Sequence, residues 1–246
     1  MKRLTRILPR TIAILLTVSL ILAVGLVFYA SIVMRGDRAA AIRAWEDPAV
    51  SITSTDHSIV ITPTGAPSGD GLVFIPGAKV DPYAYMFKLT GLVEQAGVTV
   101  VITKPILNLA IVDQRPLETF TADAPNVATW FIGGHSLGGA RACQIAGEAD
   151  VAGLVLLGSY CPNDLSNSRL MVLSISGSED GLSTSEKIQS AAALLPATTR
   201  FIEIDGHNHA DFGDYGTQSG DRASTLTSDQ ARAASTAALV ALFAAR

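Results

Sequence analysis

Cysteine is scarce in this 246-residue sequence, with only Cys143 and Cys161. Two cysteines make no disulfide framework, and their spacing matches no zinc motif. They read best as buried apolar thiols, although they could pair if the body sits in an oxidising compartment. Histidine is also scarce, with four copies, so few side chains are available as an imidazole base. Charged residues make up 16% and aromatics 6%, against 48% apolar. A disordered chain would be polar and charge-rich instead. No acidic residue precedes Asp37, and no charge of either sign falls between Thr11 and Met34. Residues 1–34 hold four of the 18 basic side chains and none of the 22 acidic ones, which leaves a body of net charge −8. An acidic body argues against nucleic acid as the partner, because phosphate binding needs a net basic face.

The uncharged stretch accounts for a mean hydropathy as high as +0.35. Twenty-four residues at about 1.5 Å each give a helix of roughly 36 Å, enough for a hydrocarbon core of about 30 Å. Lys2, Arg3, Arg6 and Arg10 precede it and favour a cytoplasmic N-terminus. The expected organisation is a basic cytoplasmic tail at 1–10, a transmembrane helix at 11–34, a membrane-surface tether at 35–48 and one extracytoplasmic domain at 49–246. The competing reading is a cleaved signal peptide. Its apolar core would run about 7–15 residues before a small-x-small site, whereas this core is longer and Phe28-Tyr29-Ala30-Ser31 cleaves poorly.

The body alternates strand-like and helix-like segments, which indicates an α/β domain without repeats. Val50–Thr53 and Ser58–Thr62 read as a hairpin. Leu72–Ile75 is a short continuous apolar run, as expected of a buried parallel strand. A helix is predicted over 82–95, capped by Asp81 and stopped at Gly97. Further strands are expected at 98–103, 129–132, 154–157, 170–175 and 201–204. Helices are expected at 109–120 (interrupted at Pro116), 137–147 and 185–195. After a Gly- and Asp-rich loop at 211–221, the capping-box spacing of Thr227 to Gln230 starts a last helix.

Gly134-His135-Ser136-Leu137-Gly138 matches G-x-S-x-G between a predicted strand and a predicted helix, the setting in which a serine nucleophile is presented on a sharp turn. Such a serine needs a base, and the base needs an acid to orient it, in chain order Ser, Asp/Glu, His. His57 precedes the serine, and the ring of His135 should point away from the base position. His207 and His209 remain, both just after the last strand. Asp180 is the preferred acid, with Glu179 and Asp164 as rivals; Asp164 has the alternative of a turn residue in Pro-Asn-Asp. Oxyanion donors are expected from the N–H groups of Leu137 and of Ala78 in the loop after Leu72–Ile75. Lys79 could attract an anionic substrate but reads better as a solvated cation. Asp211, Asp214 and Asp221 lack the spacing of a calcium loop. No metal or organic cofactor is implied.

These residues resemble the α/β-hydrolase superfamily, and within it the small bacterial family 5 group, similar to dienelactone-hydrolase-like proteins. The resemblance rests on residues 74–82 (Phe-Ile-Pro-Gly-Ala-Lys-Val-Asp-Pro), 133–139 (Gly-Gly-His-Ser-Leu-Gly-Gly), 177–181 (Gly-Ser-Glu-Asp-Gly) and 208–216 (Asn-His-Ala-Asp-Phe-Gly-Asp-Tyr-Gly). It implies an α/β-hydrolase fold over 49–246, a mostly parallel sheet flanked by helices. It implies that His209, the histidine after Asn208, is the catalytic one, where His207 stands at a position usually held by Gly. Relatives often insert a lid between the strands that here end near Leu157 and restart near Leu170, and this sequence has no room for one. The site should therefore be open, bordered by Tyr160, Tyr83 and Tyr85, which disfavours interfacially activated lipases. The expected activity is hydrolysis of a small-molecule carboxylic or thio-ester by Ser136, His209 and Asp180. Acyl transfer by the same triad, or a catalytically silent binding protein of this fold, are the alternatives.

Overall fold

The computed structural model describes residues 4–245. Helix α1 (Leu4–Ser31) leads into helix α2 (Arg38–Trp45), and a hairpin of β1 (Val50–Ser54) and β2 (Ser58–Pro63) follows. Then come β3 (Asp70–Ile75), α3 (Met86–Ala96), β4 (Thr99–Thr103), the short α4 (Glu118–Thr121) and β5 (Thr129–His135). The rest is α5 (Leu137–Ala146), β6 (Gly153–Leu157), β7 (Met171–Gly177), α6 (Ser185–Ser190), β8 (Arg200–Ile204) and α7 (Ser228–Ala244). The eight strands form one sheet in the order β1-β2-β4-β3-β5-β6-β7-β8. Strand β2 pairs antiparallel with β1 and β4, and every pairing from β4 to β8 is parallel.

The strands alternate their side chains between two apolar layers, as the two-residue period of a strand requires. Leu72, Phe74, Val100, Ile102 and Phe131 pack with Leu89, Leu92, Leu239 and Phe243 of α3 and α7. Val73, Ile75, Val101, Ile132 and Leu154 face the opposite layer, with Ala142, Cys143 and Ala146 of α5. A sheet covered on both faces explains why β3 and β6 read as unbroken apolar runs.

Several boundaries differ from expectation. The 109–120 segment is not a helix. Leu107 and Asn108 turn the chain through left-handed backbone (φ 56° and 54°), and the Asp113 carboxylate accepts from the Ile106 and Arg115 N–H groups. That carboxylate supplies the acceptors a helix would have, so only Glu118–Thr121 after Pro116 coils. Pro82–Tyr85 is a separate 3-10 turn before α3, and the helix expected at 185–195 ends at Ser190.

The N-terminal helix carries 23 residues, Pro9–Ser31, long and apolar enough to cross a membrane. Of the basic tail at 1–10, residues 1–3 lie outside the described residues. The helix ends three residues before Met34, because Met34 forms a parallel bridge with Val80. Within the segment expected to be a tether, 35–48, residues Arg38–Trp45 form the packed helix α2. The Asp37 side chain caps α2 at the Ala40 N–H, 2.9 Å away, and Ala44 is fully buried.

Cys143 on α5 and Cys161 after β6 are disulfide-bonded, with Cα atoms 5.4 Å apart. This corrects the reading of two separate buried thiols. Both side chains are buried, but the fold brings the elbow helix against the loop after β6, a proximity no spacing reveals. A loop closed across 18 residues should contribute about 3 kcal/mol to stability. Reduction under mild denaturant should therefore lower the melting temperature by several degrees, and a thiol titration of the unreduced, unfolded chain should find none. Two titratable thiols in that sample would contradict the bond.

Candidate active site

Strand β5 ends at His135 and α5 begins at Leu137, so Ser136 alone makes the turn, with φ 52° and ψ −123°. Left-handed backbone is costly for a residue with a Cβ, and here the surroundings enforce it. The Ser136 N–H donates to the Leu157 carbonyl at 3.0 Å, and the Ser159 hydroxyl donates to the Ser136 carbonyl at 2.7 Å. The flanking glycines allow the close approach. A Cβ on Gly138 would lie 2.1 Å from the Ile75 carbonyl oxygen, and one on Gly134 would lie 2.5 Å from the Gly138 backbone.

Asp180 follows β7 and His209 follows β8, so both lie at the same sheet edge as Ser136. The His209 Nδ1–H donates to Asp180 Oδ2 at 2.8 Å, and both side chains are shut off from solvent. Asp180 Oδ1 accepts from the N–H groups of Leu182 (2.8 Å) and Ser183 (2.6 Å). With Oδ1 committed to backbone and Oδ2 to the ring, the carboxylate fixes the tautomer that leaves Nε2 unprotonated. Among the described residues His209 Nε2 has no hydrogen-bond partner, which leaves that nitrogen uncommitted. Asp164 is exposed and accepts from the Ser166 N–H at 3.0 Å, which is turn chemistry. His57 pairs with Asp123 at 3.1 Å, on the hairpin.

The loop after β3 runs alongside, since Ile75 registers with Gly134 of β5. The Gly77 N–H donates to the Tyr85 hydroxyl and the Lys79 N–H to the Asn108 carbonyl. The Ala78 N–H between them has no partner among the described residues. Leu137 is the first residue of α5, where the N–H has no intrahelical acceptor. These two amides are free for an anionic oxygen.

Two placements depart from expectation. Tyr85 does not border the opening. It is fully buried, and burial pushes its phenol far above the usual value. Its hydroxyl accepts from the Gly77 N–H and lies 2.9 Å from His135 Nδ1. That ring does not stand apart either: it packs 4.4 Å from the His209 ring. The Tyr85 hydroxyl thus joins the Gly77 amide to the His135 ring through a shared hydrogen bond at Nδ1. Burial, then the neighbouring His209 and His207, hold the His135 ring well below the ordinary value. It is therefore neutral, and a neutral ring imposes no repulsion when His209 takes up a proton. His207 is buried, with Nδ1 2.9 Å from the Asn208 carbonyl, Nε2 3.4 Å from the Ser235 hydroxyl and its ring 4.3 Å from Phe212.

Sequence reasoning missed Asp221 as a support. Its Oδ1 accepts from the Gly181 N–H and its Oδ2 from the Ala210 N–H, each at 3.0 Å. One carboxylate thus ties the loop of Asp180 to the loop of His209. Only the run of aspartates at 211–221 hinted at it, and no motif assigned that run a purpose.

His207 is likewise held below the ordinary value, chiefly by burial. With both His135 and His207 depressed in the folded state, the unfolded chain binds more protons below about pH 6.5. Stability is then present at neutral pH and lost as pH falls below that value, by up to ~1.4 kcal/mol per pH unit for each ring. Urea melts at pH 7.5, 6.0 and 5.0 should show this loss, with a shallower decline in His207→Gln. A flat profile would contradict it.

The chain belongs to the alpha/beta hydrolase family, whose model matches residues 71–233. No curated protein matches the sequence. Among solved structures it is similar to a dienelactone hydrolase from Anabaena variabilis, at 17% identity and TM-score 0.57 over 80% of this chain and 98% of that one. Est1E from Butyrivibrio proteoclasticus is similar at 12% identity and TM-score 0.55, over 80% and 99% of the two chains. An esterase domain from Rhodothermus marinus is similar at 12% identity and TM-score 0.57, over 79% and 98%. At these identities the likeness is one of fold.

Proposed function

We propose that this chain is a membrane-anchored, extracytoplasmic serine hydrolase that cleaves carboxylic or thio-esters through an acyl-enzyme. The observation that carries the reading is the buried Asp180–His209 hydrogen bond at the sheet edge where Ser136 occupies a strained elbow. The Ser136 hydroxyl oxygen attacks the acyl carbon as His209 Nε2 takes its proton, and the carbonyl π electrons move onto oxygen. The Leu137 and Ala78 N–H groups hold that oxyanion. The intermediate collapses, the bond to the leaving oxygen or sulfur breaks, and His209 returns the proton to the leaving group. Water, deprotonated by the same nitrogen, then frees the acid and Ser136. Asp180 orients the ring and stabilises the imidazolium.

Two features support the location. The span from Pro9 to Ser31 has no side chains buried against the body in its apolar window, and the Cys143–Cys161 bond suits an oxidising compartment. The test uses the full chain in native membranes. It should stay in the pellet through high-salt and alkaline washes and react with a fluorophosphonate probe at Ser136. An unlabelled wild-type protein would overturn the chemistry. Recovery of a mature soluble form starting near Ser31 would replace the anchor by a cleaved signal.

A further inference from the structure

The junction between the apolar helix and the body contains no slack. Ala30, in the last turn of α1, is 1% exposed, and the Tyr29 ring lies 3.8 Å from the Lys79 ammonium. Three residues past the helix end, the Met34 N–H donates to the Lys79 carbonyl at 2.7 Å, and the Asp81 N–H donates to the Met34 carbonyl at 2.9 Å. The Asp37 N–H then donates to the Asp214 carbonyl at 2.6 Å, in the loop that follows His209. The foot of the helix is thus bridged at Met34 to Lys79 and Asp81, just after Ala78 in the loop that follows β3, and at Asp37 to Asp214 in the loop that follows His209. Lys79, Leu107 and Asn108 are, with Ser136, the non-glycine residues with positive φ among the described residues. Three of those four therefore sit where the foot, the oxyanion loop and the 106–108 turn meet.

The distance this allows is short. Ser31 to Met34 is three residues, at most about 11 Å of chain. One hydrogen bond joins Met34 to Lys79, and Ala78 is one residue away. If α1 spans a bilayer, the Ala78 amide lies within roughly 20 Å of chain path from the end of the span. The headgroup zone already takes up about 5–8 Å of that on each side. The surface beside the foot suits lipid. In the 106–112 loop Ile106, Ile111 and Val112 are 48%, 49% and 39% exposed, and Ile32 in the foot is 55% exposed. Arg35 and Arg38 are exposed just past it, where cations meet headgroup phosphates. A crevice of about 560 Å3 opens between Ser31, Ile32, Val33 and Arg35 of the foot and Asp81 and Asn108 of the body.

We propose that the foot of the anchor holds the catalytic edge against the bilayer surface, so that the substrate is an ester borne by the lipid layer. This rests on the anchored serine-hydrolase reading above. Supply then comes from position instead of from a lid that opens at an interface.

The test reconstitutes the full chain in phosphatidylcholine vesicles and inserts twenty Gly/Ser residues between Ser31 and Ile32. Such a linker has a root-mean-square length of about 25 Å and leaves the Met34 and Asp37 hydrogen bonds in place. Rates per site, titrated with a fluorophosphonate, are compared for 4-nitrophenyl palmitate dissolved in the vesicles and 4-nitrophenyl acetate in the water. The insertion should lower the palmitate-to-acetate ratio at least tenfold, and the acetate rate should stay within about twofold. Because the readout is a ratio, a general loss of folded protein does not imitate the result. An unchanged ratio, or a parent protein that hydrolyses acetate but not palmitate, overturns the inference and leaves the hydrolase reading standing. If the parent hydrolyses neither ester, or Ser136→Ala hydrolyses both at the parent rate, the hydrolase reading itself falls.

Discussion

Ser136→Ala should lower kcat on an activated ester by about four to six orders of magnitude, and His209→Ala should do nearly the same. The double variant should be hardly worse than either alone. A serine that keeps its proton is a weak nucleophile, and a base with no serine to serve has nothing to activate. Each single change therefore removes the whole covalent route. What survives is the background from binding and the oxyanion amides, which neither substitution touches. Asp180→Asn should cost about 10⁴-fold, because an amide at Oδ2 can donate to Nδ1 and trap the wrong tautomer. Steady-state rates on purified protein check all four. Near-full activity in Ser136→Ala, or additive losses in the double variant, would refute the assignment.

His207→Gly and His209→Gly should fail in different ways. His209→Gly should lose the base, at least 10²–10⁴-fold in kcat/KM per folded molecule. His207→Gly should change kcat/KM per folded molecule by less than about tenfold and instead lose stability. The His207 ring is fully buried against Phe212 and bridges to Ser235 of α7. Removing an aromatic-sized buried side chain costs about 3–5 kcal/mol, which in a domain of this size is roughly 6–20 °C in Tm. Kinetics and a thermal melt on each variant separate the two losses. A dead but fully stable His207→Gly would make His207 the base, and a fully active His209→Gly would confirm that reversal.

The supports of this site explain why its outline could be read from the chain and its interior could not. The elbow, the acid after β7 and the histidine after β8 each carry a local signature: a glycine pair, a turn motif, a position in chain order. Tyr85, His135 and Asp221 carry none. Tyr85 reads as an exposed aromatic until α3 is docked, and then its hydroxyl is needed by the Gly77 N–H. Asp221 reads as one acid in a polar loop until the loops of Asp180 and His209 are brought together, and then it accepts from both. Hydrogen bonds of this kind join residues 8 to 50 positions apart, and composition is blind to them.

Periodicity and local chemistry by themselves determined that the chain is an α/β domain behind one long apolar helix. Short β-branched runs bounded by turn residues read as strands, and 24 uncharged residues have no charged face to show to water. Tertiary structure alone decided how those parts meet. It placed a helix capped by Asp37 within the expected tether, joined the two cysteines, and ended the apolar helix before Met34, which pairs with Val80. The reason is the same in each case. A backbone amide or a thiol takes whichever partner the fold brings within bonding distance, and that partner is set by the packing of the sheet edge, far along the chain from the residue itself.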